Sequence, residues 1–90
     1  MAILDILRNP KKKCDKLAKL KKHEEALGCY NKALELNPKD EKAWYNKGKI
    51  LINHGKDQEA LKCFDKTLEL DPTFEPALKD KKEILEGKIE

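Results

Sequence analysis

Five residues of this chain carry a thiol or an imidazole, the side chains that most often ligate zinc or act as nucleophile and base near neutral pH: Cys14, His23, Cys29, His54 and Cys63. A zinc site draws its ligands from closely spaced pairs such as Cys-x-x-Cys, and no two of these five stand closer than six residues. Catalysis would need a nucleophile beside a base and an orienting group, a metal, or a glycine-rich phosphate loop, and the sequence holds no such grouping. Neither a metal nor a cofactor is expected, and the chain is read as no enzyme. His23 and His54 are expected to be solvent-facing polar residues.

The remaining chemistry is that of lysine, asparagine and carboxylate. Charged residues are 41% of the chain and aromatics 6%, a Lys/Glu/Leu/Ala-rich composition that favours helices with wet outer faces, and no strand is expected. The formal charge of +3 is uneven. Met1 to Glu25 carries eight Lys/Arg against four Asp/Glu, and the rest carries twelve against thirteen. A polyanion such as nucleic acid is one reading of Arg8, Lys11, Lys12, Lys13, Lys16, Lys19, Lys21 and Lys22, but no base-stacking aromatics are interleaved with them. No apolar run approaches the roughly 20 residues of a membrane span. MAILDILR lacks the basic front end and cleavage site of a signal peptide, so a cytoplasmic chain is expected. At 90 residues it is one small domain with a thin core.

The elements that position these side chains are written twice. ALGCYNKALELNP (26–38) returns as ALKCFDKTLELDP (60–72), 34 residues on, and a fixed period of that size means an array of repeated units. From Glu41 to His54, Ala43, Trp44, Ile50, Leu51 and Ile52 cluster at helical spacing, with Asp40 as N-cap and Gly55 as the positive-φ stop. Asp57 is expected to cap a second helix, 58–70, facing Ala60, Leu61, Phe64, Thr67 and Leu68 inward, and Pro72 ends it. Shifting back by 34 gives a clear helix at 24–36 and a degraded one at about 11–20, with Asn9 as its cap and Pro10 in its first turn. Shifting forward gives a last helix from Phe74 to about Gly87, capped by Thr73, in which Ala77, Leu78, Ile84 and Leu85 match Ala43, Trp44, Ile50 and Leu51. Its hairpin partner is missing, and Lys79, Asp80, Lys82, Glu83 and Glu86 are expected to make it a solvating cap.

The division expected is an apolar segment at 1–10 followed by a single domain at 11–90. Repeat 1 covers about 7–40, repeat 2 about 41–74, and the capping helix about 74–87. Met1 to Arg8 is expected to cover the first hairpin or to pack on another copy, so homo-oligomers are a second reading of function. Three cysteines with no Cys-x-x-Cys pair are read as reduced intracellular thiols serving as small packing residues. Cys29 and Cys63 stand in equivalent places of successive units, about 8 to 10 Å apart by helix axis, and no bridge between them is expected.

Trp44, Gly48, Ala60, Phe64 and Pro72, at their spacing within a 34-residue period, resemble the tetratricopeptide repeat (TPR) pattern of Trp, Leu-Gly, Tyr, Ala, Phe and Pro. Repeat 2 departs from it at Lys47, where the pattern has Leu, and at Leu51, where it has Tyr. Repeat 1 keeps Ala26, Tyr30, Ala33 and Pro38 but has Pro10, Cys14 and Leu17 for the Trp, Gly and Tyr. The resemblance implies an all-α, right-handed α-solenoid of antiparallel helix-turn-helix hairpins, about two and a half units long. Trp44, Tyr30 and Phe64 would be inter-helix filler, and Gly48 would let one helix approach its neighbour without a Cβ.

The resemblance also implies a protein interaction module in which the first helix of each hairpin lines a concave groove for a peptide or partner helix. The positions matching that face are Lys11, Asp15, Lys42, Tyr45, Asn46, Lys49, Asn53, Lys79 and Glu83. Lys11, Lys42 and Lys49 would attract a partner's carboxylates while Asn46 and Asn53 bond its backbone. The plain alternative is a set of solvated helix-face charges. Lys62 is expected on the opposite, convex side. A carboxylate clamp of the kind that grips chaperone tails is not assigned, because Asp15, Pro76 and Asp80 stand where it needs Asn, Lys and Arg.

Overall fold

The computed structural model describes residues 10–87, with side chains from Lys13 onward. Five helices follow one another: α1 (Pro10–Lys19), α2 (His23–Leu36), α3 (Glu41–Asn53), α4 (Asp57–Leu70) and α5 (Glu75–Leu85). No strand occurs among the described residues. The principal contacts run between helices adjacent in the chain, α1 on α2, α2 on α3, α3 on α4 and α4 on α5. The product is an elongated stack of 43 × 25 × 18 Å. The expected cover by Met1 to Arg8 and the Asn9 cap lie outside the described residues.

Small residues set the spacing of the stack. Ala26, Ala43, Ala60 and Ala77 stand 17 residues apart, half a period, one on each helix from α2 to α5, and all four are completely buried. An alanine at a helix crossing lets the backbones approach until the larger side chains beside it interlock. Tyr30 and Phe64 fill the gaps so created and are themselves buried. Gly48 carries the approach further, because a Cβ there would lie 2.6 Å from Cε1 of Phe64. Beyond these the core holds Leu34, Ile50 and Leu51, together with Cys63 and the hydroxyl of Thr67, which lies 3.1 Å from the Cys63 carbonyl and 3.2 Å from that of Glu41.

The turns account for the repeated phrases. Each hairpin turn closes by the same pair of backbone bonds, Lys22 N–H to Leu17 O and Lys21 N–H to Ala18 O in the first, Lys56 N–H to Leu51 O and Gly55 N–H to Ile52 O in the second. This helix ending puts one residue in the left-handed region. Gly55 takes it at φ 74°, whereas in the first hairpin Lys21 is forced to φ 60°. In the longer turns the Asn37 side chain accepts the Lys39 N–H, and Asp71 accepts the Thr73 N–H, so ELNP and ELDP each end in the same side-chain-closed turn with the proline at its centre.

Asp40 caps α3 as expected, accepting the Ala43 N–H at 3.2 Å. The other two expected caps are corrected. Helix α4 begins at Asp57 itself, with Lys56 in the cap position, because the Lys56 carbonyl already accepts the Ala60 N–H. Asp57 therefore sits in the first turn, where its charge meets the positive end of the helix dipole. Thr73 does not cap α5, since its hydroxyl donates to Asp71 at 2.8 Å and the helix starts at Glu75 after Phe74. Helix α5 is also only partly solvating, for Leu78 and Leu85 are 47% and 67% exposed. They occupy the places of Trp44 and Leu51, which in the second hairpin turn toward α4, and α5 has no such neighbour among the described residues.

The cysteine reading is corrected as well. Cys14 on α1 and Cys29 on α2 form a disulfide, with their Cα atoms 5.3 Å apart. The 8 to 10 Å between helix axes does not forbid it, because Cys14 occupies the Gly48 position of its unit, where the two helices of a hairpin come closest. Cys63 is a free, buried thiol, as its lack of a partner at Gly48 requires, and burial raises its pKa. The pairing withdraws the argument from reduced thiols that favoured a cytoplasmic chain. No helix among the described residues is long and apolar enough to cross a membrane. Replacing both Cys14 and Cys29 with alanine should remove about 2 to 3 kcal/mol of stability, the contribution of closing a loop of this length. Urea melts of the variant and of oxidised and reduced wild type should show it, with the reduced protein matching the variant.

Candidate functional site

The first helices of the hairpins, α1 and α3, enclose a concave cleft of about 440 Å³. Its floor is the buried Tyr30 with Ile50, and Asp15 and Lys19 of α1 face Asn46, Lys49 and Asn53 of α3 across it. Helical geometry makes this possible, since Asn46, Lys49 and Asn53 are three and four residues apart and lie along one stripe. Asp15 and Lys19 repeat that spacing one unit earlier, 34 residues before Lys49 and Asn53.

Two tyrosine–aspartate pairs tie neighbouring helices together, one at this cleft and one beyond it. The Tyr30 hydroxyl donates to Asp15 Oδ1. Further along, Tyr45 donates to Asp80 Oδ2 of α5 at 2.7 Å, and its ring rests between Phe64 and Phe74 at centroid distances of 5.6 and 5.2 Å. Burial raises the pKa of both tyrosines above the ordinary value, and the neighbouring carboxylate adds to the shift in each. Asn46, hydrogen-bonded to the Tyr30 hydroxyl, opposes it in part. Lys49 is exposed, with its ammonium 5.6 Å from the centre of the Tyr45 ring.

Four of the expected groove residues, Asp15, Asn46, Lys49 and Asn53, thus meet in one cleft. Tyr45 and Lys79 meet in a second depression between α3 and α5, beside Asp80 and Leu78. Lys42 is exposed and lines neither, and Glu83 is half-buried near enough to Tyr45 to act on its hydroxyl. The Lys11 side chain lies outside the described ones. Lys19, Tyr30 and Asp80 were not foreseen. Applying the 34-residue shift to Asn53 and Asn46 would have found Lys19 and Asp80. Tyr30 carried no such signal, because its ring is core and only its hydroxyl reaches the groove.

The columns formed by the shift also give the charge pattern. Asp15, Lys49 and Glu83 occupy one position in successive units, so the concave face runs acid, base, acid. Lysines at 19 and 49 are the cations facing the central cleft. This surface presents hydrogen-bonding and charged groups to a ligand. No group of three or more His, Cys, Asp and Glu side chains among the described residues is placed to hold a metal.

A family model described as "Tetratricopeptide repeat" matches residues 41–74, and a second, described as "TPR repeat", matches residues 15–55. The chain belongs to the tetratricopeptide repeat family. The two matches cover α2, α3 and α4 and the second half of α1, the helices that build and back the central cleft. No curated protein matches the chain. TPR repeats indicate a protein–protein interaction module in general, and the fold is generally a non-catalytic scaffold.

The tyrosine pairs give this TPR stack a signature in alkali. A tyrosine whose folded pKa is raised binds its proton more tightly in the native state, so its contribution to stability is complete below the unfolded value of about 10 and is lost as the pH rises above it. The double variant Tyr30→Phe, Tyr45→Phe should therefore lose less stability than wild type between about pH 9 and pH 11.5. Urea melts at stepped pH check this, and parallel curves for the two proteins would mean that neither hydroxyl is protected.

Proposed function

We propose that the chain is a scaffold module whose concave cleft between α1 and α3 binds an extended peptide carrying a carboxylate over Lys49 and Lys19. Asn46 and Asn53 bond the peptide backbone on either side. The observation that carries this reading is the convergence of two lysines, neither in an ion pair among the described residues, and two asparagines on one cleft floored by Tyr30 and Ile50. Amide side chains with donor and acceptor at one end suit the alternating N–H and C=O of an extended strand. The acid, base, acid order along the groove favours a segment with an isolated carboxylate over a continuous acidic run, since Asp15 and Glu83 would repel the flanks of such a run. Acidic partners of that sparse kind are the class proposed, inside the cell if the thiols of Cys14 and Cys29 are found reduced there.

A second reading, self-association, is favoured by Leu78 and Leu85, which are exposed on α5 and face no further helix among the described residues. Light scattering over a concentration series on wild type and Leu85→Lys tests it. A mass that rises with concentration in wild type alone supports association through α5, and a monomer throughout excludes it.

For the groove, a neutral extended peptide with one central glutamate and its glutamine counterpart are the probes. Lys49→Glu should weaken the glutamate peptide by at least about 1 kcal/mol, the scale of one charge-assisted hydrogen bond, and the glutamine peptide much less. Lys32→Glu on the exposed face of α2 changes the net charge equally and should change neither. Lys62 is unsuitable as that control, because it lines a separate cleft on the convex side. Titration calorimetry reads all four combinations, and equal losses in Lys49→Glu and Lys32→Glu would replace direct contact with diffuse charge attraction.

A further inference from the structure

The family pattern has leucine at position 47, and this chain has lysine. Around Lys47 the convex side opens into a cleft of about 560 Å³ between α2, α3 and α4, within the size range of small-molecule sites. Its floor is apolar, built from Leu27 of α2, Trp44 and Leu51 of α3, and the Cys63 thiol of α4. Its rim is cationic, with Lys47, Lys56, Lys62 and Lys66 against the single carboxylate of Glu59. Lys66 is drawn toward Glu69 at 3.5 Å, whereas Lys56 and Lys62 make no ion pair among the described residues.

Trp44 is the fixed part of this cleft. Its indole N–H donates to the Pro38 carbonyl at 2.8 Å, which pins one edge of the ring to the turn between α2 and α3. The Lys47 ammonium lies 5.3 Å from the ring centre on its face. Trp44 was expected to be inter-helix filler alongside Tyr30 and Phe64, yet those two are buried and Trp44 is only half so. A leucine at 47 would cover the indole. The lysine instead leaves apolar floor exposed and adds a cation at its edge.

We propose that this cleft binds an anionic amphiphile, an alkyl or aryl carboxylate or sulfonate, with its apolar body on Leu27, Trp44 and Leu51 and its acid group paired with Lys47 and Lys62. An apolar floor rewards the body by removing it from water, and a rim with three cations in excess selects the anion over a neutral or cationic analogue. The site is on the face opposite the concave cleft, shares no side chain with it, and stands whether or not the groove binds peptide.

Trp44 is the only tryptophan in the chain, so energy transfer from it to bound anilinonaphthalene sulfonate reports this cleft directly. The full chain should show saturable transfer that is displaced by dodecanoate, and not by dodecanol or dodecyltrimethylammonium at the same concentration. Lys47→Leu restores the family residue, so it should remain folded by circular dichroism while binding the probe at least about tenfold more weakly, the change expected for losing one charge-assisted contact. Lys62→Glu should weaken it similarly. Lys16→Glu, the same charge change on α1, should leave the affinity within about twofold. Bound dodecanoate should also slow alkylation of Cys63. Unchanged affinity in Lys47→Leu, an equal loss in Lys16→Glu, or displacement by dodecanol as effective as by dodecanoate would each overturn the assignment.

Discussion

The close approach of neighbouring helices at alanine and glycine is the constraint on which the rest depends. Ala26, Ala43, Ala60 and Ala77 are buried to the last atom, and Gly48 has no room for a Cβ beneath Phe64. Because the backbones come this near, two aromatic rings and a few aliphatic side chains suffice to fill the space between five short helices. The same nearness puts Cys14 within bridging distance of Cys29 in the first hairpin, where the family glycine is replaced. The staple falls in the hairpin whose turn forces Lys21 into a left-handed conformation that Gly55 takes without strain. A weaker repeat thus carries a covalent support that its better-formed neighbour lacks.

Once the helices are spaced in this way, both faces of the stack follow from what is left over. On the concave side the first helices present one residue column after another, and the period makes the columns meet as Asp15, Lys49 and Glu83. Tyr30 and Tyr45 belong to core and groove at once, each with its ring packed and its hydroxyl held by a carboxylate, Asp15 of α1 in the same hairpin for Tyr30 and Asp80 of α5 for Tyr45. They tie the geometry of the cleft to the packing behind it. On the convex side Lys47, one of the two departures of repeat 2 from the pattern, lies over the half-buried indole of Trp44 in a cleft also lined by Lys56, Lys62 and Lys66.

The period, the helix order and most boundaries were legible because they are local. A repeated ELNP or ELDP, a glycine at 55 and an aspartate at 40 act within a few residues of themselves. The errors came from competition between neighbours. Asp71 captures the Thr73 hydroxyl before it can cap α5, and the Lys56 carbonyl starts α4 one residue before Asp57 could cap it. The Cys14–Cys29 bridge was missed because an odd cysteine count without a Cys-x-x-Cys pair was read as reduced thiols, while the bridge depends on the crossing point of α1 and α2, at the place of Gly48 in the next hairpin. The central cleft was only half foreseen. Asn46, Lys49 and Asn53 show in the helical stripe, but Lys19 needed the period applied once more, and the Tyr30 hydroxyl is hidden in a core position.

Recognition on the concave face between α1 and α3 is open to amide chemical-shift mapping of the labelled, oxidised chain with the single-glutamate peptide. The shifts should concentrate on Asp15, Lys19, Asn46, Lys49 and Asn53, with the convex residues around Lys47 and Lys62 unmoved. Shifts gathered on the convex residues, or spread evenly over every exposed lysine, would contradict it.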